Sequence, residues 1–221
     1  MVALDMLRTR SEWSPALGSA RRLVEEHGNE AIWAASEYGQ VYRERRGAMV
    51  FDVVASRQRR YDSRVLRAVE KWEANAGEPT LAWLASNIPV ASDYGLRKGE
   101  PETMRSVARN LLQLAGDLDI EEDDVCRIWA DRVEGLEHAP KLDPVVGAVK
   151  GIGTALFAYM RMRSGGEALK PDVRVTKGLR KLGFTVPRDG HAVLILARAV
   201  AAELGITLLT LDQLLWALED D

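Results

Sequence analysis

Among its 221 residues the chain has one cysteine, Cys126, and three histidines, His27, His138 and His191. A single thiol excludes an intrachain disulfide and any cluster needing four cysteine ligands. The histidines are scattered and lack zinc-site spacing, so no metal is expected. No uninterrupted apolar run is long enough to cross a bilayer, and the first residues do not read as a signal peptide. A cytoplasmic protein without a membrane partner is therefore expected. Alternating apolar and polar runs, the mark of half-buried strands, are nearly absent, as are repeats and low-complexity segments. Net charge is scarce too: 30 basic against 33 acidic residues leave −3, which does not mark the whole chain as a polyanion binder.

What is present is helical patterning. With 47% apolar and 29% charged residues, the chain can bury a core as one domain or two small subdomains. Amphipathic spacing predicts helices over 19–26, 62–75, 80–86, 102–114, 125–134 and 191–204, and a closing helix over 211–218 capped by Thr210. The breaks Gly77-Glu78-Pro79, Gly99-Glu100-Pro101, His138-Ala139-Pro140 and Pro187-Arg188-Asp189-Gly190 read as ordinary helix–helix connections. Trp13, Trp33, Trp72, Trp83, Trp129 and Trp216 mostly sit on apolar faces and read as core. The acidic block near Asp119 to Asp124 reads as an exposed helix cap and loop. Basic residues gather at Arg43, Arg45 and Arg46, along 57–67, and from Lys170 to Lys181. Local charge, not the total, is what a phosphate backbone meets.

The most informative stretch is Val149-Lys150-Gly151-Ile152-Gly153-Thr154-Ala155-Leu156, followed by Lys170-Pro171-Asp172-Val173-Arg174-Val175. Val145, Val146 and Val149 precede the glycines as an apolar stripe, and Leu156, Phe157 and Met160 follow them. The pattern predicts a helix, a short glycine hairpin, a second helix, a loop, and an aspartate opening a third helix. Glycines in such a hairpin let backbone N–H groups approach an anion closely. No strand precedes the first glycine and no third glycine follows, which argues against a dinucleotide-binding loop. The same residues also suit a plain tight turn, with Asp172 an ordinary N-cap.

This arrangement resembles the helix-hairpin-helix DNA glycosylase superfamily, which includes endonuclease III and the 3-methyladenine glycosylases. Its members hold a DNA phosphate on a Leu-Pro-Gly-Val-Gly hairpin and take a catalytic aspartate from a Val-Asp-Thr-His segment. The resemblance puts Gly151, Ile152, Gly153 and Thr154 on the DNA-gripping hairpin and Asp172 in the catalytic place. Lys150 and Pro171 stand where the family has proline and valine. Upstream, Ala55-Ser56-Arg57-Gln58 occupies the place of the family's Leu-Ser-x-Gln, with Arg59, Arg60 and Tyr61 after it. The resemblance makes Arg57, Gln58, Arg59 and Arg60 DNA contacts, with Gln58 entering the duplex. A solvated helix face is the plainer reading of that basic run.

The resemblance covers about residues 48 to 184. It implies an all-α fold of two helical subdomains with a cleft between them. Residues 1–47 and 140–221 would carry the hairpin and the aspartate, while 48–139 would form a helical bundle. Double-stranded DNA with a damaged or modified base would be the partner of a monomeric enzyme. No cofactor is implied, although the resemblance allows a monovalent cation at the hairpin. Such an enzyme flips the nucleotide out of the stack. A carboxylate then stabilises the positive charge that grows on the sugar and orients or deprotonates a water. Bifunctional relatives carry a lysine two residues after the second hairpin glycine. Ala155 stands there, so a monofunctional enzyme that leaves an abasic site is expected. The alternative is a DNA-binding protein that keeps the hairpin without catalysis.

Overall fold

A computed structural model describes residues 2–218, in which every regular element is helical. In chain order the α-helices are α1 (Val2–Arg8), α2 (Trp13–Tyr38), α3 (Arg46–Ala55), α4 (Leu66–Asn75), α5 (Leu81–Ser86) and α6 (Glu100–Leu118). They continue with α7 (Glu122–Arg132), α8 (Thr154–Arg163), α9 (Val173–Lys181), α10 (Gly190–Leu204) and α11 (Leu208–Ala217). The chain forms two compact units: Gly39–Gly166, and the residues up to Tyr38 together with those from Glu167 onward.

The discontinuous unit packs α2, α9, α10 and α11 around one apolar core that includes Leu179, Leu194, Leu211 and Leu215. Trp13 meets the ring of Phe184 edge-on at 5.4 Å. α10 is capped by Asp189, which accepts the Ala192 N–H, and stops at Gly205 in the left-handed region. The closing helix starts earlier than its apolar spacing suggests. Thr207 is its cap, accepting the Thr210 N–H at 3.0 Å, whereas Thr210 itself is buried inside the helix. Trp33 is 69% exposed and belongs to no core.

In the continuous unit, every residue of α3 is buried, and so is α8 from Leu156 to Arg163. A charge lies between these two helices. Asp52 of α3 is fully buried, and its Oδ2 accepts the hydroxyls of Tyr42 (3.0 Å), Tyr61 (3.3 Å) and Tyr159 (2.8 Å). Nε of Arg163 lies 3.4 Å from the same oxygen. Burial, then the Asp52 charge, raises the Tyr42 and Tyr61 hydroxyls above their ordinary range. Tyr61 opens a single π-helical turn, Tyr61–Val65, that leads into α4.

The acidic block is more than an exposed loop. Glu122 accepts the Leu81 and Ala82 N–H groups at the start of α5, at 2.7 and 3.0 Å. Asp123 accepts the Glu44 N–H and pairs with the buried Arg46. Arg45 likewise pairs with Glu73 at 2.7 Å. The first basic cluster is thus drawn largely into the fold.

The division of the chain differs from the one the resemblance implies. The breaks fall after Tyr38 and Gly166, so the hairpin belongs to the continuous unit and Asp172 to the other. Packing supplies the reason. α8 is held to α7 by Trp129 meeting Phe157 edge-on at 5.7 Å and by Arg161 donating to the Ala130 carbonyl at 3.2 Å. Tyr159 and Arg163 hold it to α3 through Asp52.

Candidate functional site

The helix expected before the glycines does not form. Residues 144–151 run as turns and a bend, with the buried Asp143 taking three of their donors. Its carboxylate accepts from Val145 N (3.1 Å), Val146 N (2.9 Å) and Gly147 N (2.8 Å), and from the Trp129 indole (3.1 Å). An aspartate that binds its own downstream backbone competes with a helical ladder. Gly147 is needed there, since a β-carbon would lie 1.8 Å from the Pro140 carbonyl oxygen.

The hairpin itself is anchored from below. Ile152 is buried, and the Thr103 hydroxyl of α6 donates to the Lys150 carbonyl at 2.8 Å. Nζ of Lys141 donates to the carbonyls of Val149 (3.2 Å) and Ile152 (2.8 Å). Gly153 is exposed and extended, and it opens α8 with no side chain capping the helix. Among the described residues no side chain caps this helix start, and its first N–H groups carry the positive end of the helix dipole. Thr154 is half-buried at that end.

The two glycines are not equivalent. Gly151 has φ +98°, and a β-carbon on it would lie 2.7 Å from the Thr103 hydroxyl. Gly153 has φ −115° and open space around its β position. Gly151→Ala should therefore destabilise the protein by about 1–3 kcal/mol. Gly153→Val should cost about 1 kcal/mol or less, yet place a branched side chain where an anion would approach. Thermal melting alongside binding of undamaged duplex separates the two. If folded Gly153→Val binds duplex as tightly as the parent, the hairpin is only a turn.

The Gln58 segment follows α3 directly. Gln58 is exposed at φ +54°, a left-handed conformation that costs a non-glycine residue energy. Its Oε1 accepts from Arg97 Nη2 at 3.2 Å. Arg57 and Arg60 are exposed. Arg59 departs from the expected role. Its guanidinium donates to both Glu100 oxygens (3.1 and 2.7 Å) and to the carbonyls of Ala55 (2.8 Å) and Gly95 (3.1 Å). Glu100 is 2% exposed, and a buried carboxylate without its cation is costly. Arg59 therefore holds the fold through this pair. The geometry brings two expected segments together. Glu100 holds Arg59 and Thr103 holds Lys150, so one turn of α6 fixes both the Gln58 segment and the hairpin.

In the other unit, Asp172 caps α9. Its Oδ1 accepts from Arg174 N (2.9 Å) and Val175 N (3.2 Å). Oδ2 lies 3.7 Å from Lys170 Nζ, and the side chain is 34% exposed. The loop leading to Asp172 is pinned twice to α11: Glu167 accepts the Leu209 N–H at 3.0 Å, and Asp212 accepts the Lys170 N–H at 3.2 Å. The Arg174 guanidinium carbon sits over the Trp216 ring, 3.2 Å from its centre.

Sequence reasoning missed Asp212. The available signal was one carboxylate inside the apolar run from Leu208 to Leu215. Asp212 is 2% exposed. Burial, and then the charge of Asp172, pushes its carboxyl up to about 7. Unfolded, it ionises near 3.8, so the folded protein is the better proton holder between those values. Stability from this group is complete below about pH 4 and is lost as pH rises through 7. Asp212→Asn stays neutral and can still accept the Lys170 N–H. It should match the parent near pH 4 and exceed it at pH 8 by on the order of 3 kcal/mol. Urea denaturation at both pH values checks this; a gap that does not widen with pH refutes it.

Cys126 is fully buried, which pushes its thiol up to about 12 and leaves it a poor nucleophile. Among the described residues, no group of three or more His, Cys, Asp or Glu side chains could hold a metal ion, and no single helix is long and apolar enough to cross a membrane. No family model, curated protein or solved structure matches the chain.

Proposed function

We propose that the protein is a monofunctional DNA glycosylase that extrudes a damaged or modified base from duplex DNA and excises it, leaving an abasic site. The observation that carries this reading is the uncapped start of α8 behind the Gly151 turn. Its N–H groups would meet a DNA phosphate, a contact that positions the duplex without reading sequence. Arg57 and Arg60 would add charge, and Gln58 would enter the duplex beside the displaced base. Asp172 would stabilise the positive charge developing on the sugar and orient or deprotonate the attacking water. The protein would act as a monomer, without a cofactor. A panel of duplexes carrying one lesion each, followed by alkali cleavage, tests the reading and identifies the base.

One observation favours a second reading. Both hydrogen bonds onto Oδ1 make Asp172 a complete helix cap, the role it would have in a DNA-binding protein without catalysis. Such a protein would bind the duplexes and release no base from any of them.

No lyase activity is expected, because Ala155 stands where a Schiff-base lysine would be. Borohydride should trap no covalent protein–DNA adduct. Efficient trapping would give the role to another amine, such as Lys150 or Lys170.

A further inference from the structure

A monovalent cation at a hairpin needs main-chain carbonyl oxygens turned toward one point. In this chain such oxygens are already engaged. Nζ of Lys141 donates to Val149 O at 3.2 Å and to Ile152 O at 2.8 Å, so two hairpin carbonyls converge on one ammonium. The lysine is delivered there by the short turn Pro140–Leu142, whose Pro140 carbonyl packs directly against Gly147. An alkali ion on the same oxygens would displace this ammonium or sit against its charge. The residues present therefore do not fit a separate ion.

We propose that Lys141 is the hairpin's own cation. Its ammonium takes the place of a metal ion on the Val149 and Ile152 carbonyls and adds positive charge to the phosphate site at the start of α8. An ammonium has three donors. Two serve the carbonyls, and the third is left for an incoming anion, here a phosphodiester. The carbonyl half stands on the geometry alone, whereas the phosphate half rests on the DNA-binding reading above.

The test compares potassium, sodium and tetramethylammonium chlorides at equal ionic strength, using the full chain. Melting temperature is read without DNA, and affinity is read with an undamaged duplex. For the parent, both should be the same in all three salts. Lys141→Met should melt lower by roughly 2–4 °C in tetramethylammonium and bind duplex roughly three- to tenfold more weakly. Potassium or sodium should restore part of the lost melting temperature, because an alkali ion can enter the vacated carbonyls. Lys141→Gln, which keeps a donor without the charge, should hold most of the melting temperature but not the affinity. A parent that melts higher or binds more tightly in potassium than in tetramethylammonium overturns the proposal. So does a Lys141→Met protein unchanged in both readouts. A parent that binds no duplex in any salt, with the melting results as expected, removes the phosphate half and the DNA reading but supports ion replacement.

Discussion

Asp172→Asn is expected to lower single-turnover excision by about 1,000-fold or more, with the melting temperature and the affinity for abasic-site DNA nearly unchanged. The separation is possible because the two carboxylate oxygens have different partners. Oδ1 accepts the Arg174 and Val175 N–H groups, while Oδ2 lies 3.7 Å from the Lys170 ammonium. Asparagine keeps an acceptor for the first task and loses the charge needed for the second. Asp172→Ala loses both and should also cost about 1 kcal/mol of stability. A further readout comes from Asp212, whose carboxyl is raised partly by the Asp172 charge. In Asp172→Asn, Asp212 should titrate at lower pH, visible in the carbon-13 shift of its carboxyl. Undiminished excision by a folded Asp172→Asn protein would sink the catalytic assignment.

Asp52→Ala should be the most damaging single change to the fold, at about 3–5 kcal/mol. It removes the counter-charge of the Arg163 guanidinium and the acceptor shared by Tyr42, Tyr61 and Tyr159. Removing one member of a buried ion pair costs more than replacing both by apolar side chains. Urea denaturation of Asp52→Leu, Arg163→Met and the double variant tests this coupling. The double variant should lose much less stability than the two single losses added together. Simple additivity would mean that the cluster is a set of independent contacts.

The helical class and the position of most helices were legible in the spacing of apolar residues, because an amphipathic face repeats with the helix period. Asp172 was legible as a cap because an aspartate before Val173-Arg174-Val175 can serve the first N–H groups of a helix. The segment before the hairpin was not. Its valine stripe has helical spacing, but the carboxylate of Asp143 takes three of its donors, a competition that periodicity does not register. The partner of Arg59 was hidden for a related reason. A basic run looks uniform in sequence, and only the fold sets one of its members against the buried Glu100. Asp52 was hidden within the apolar run from Met49 to Val54, since its partners come from as far along the chain as Arg163. The unit boundary depends on long-range packing of α8 on α3 and α7, which local pattern does not encode.

The turn of α6 that carries Glu100 and Thr103 has a consequence for any duplex that touches both segments it holds. A helical turn is a stiff spacer of roughly 5 Å, so neither segment can shift to suit the other. A bound DNA would then have to deform to meet a fixed gauge, at a cost set by stacking and by the flexibility of the step being bent. A mismatched or damaged step is softer than its intact neighbours. Discrimination would therefore begin before any base leaves the helix, in the rigidity of the protein set against the local softness of the DNA.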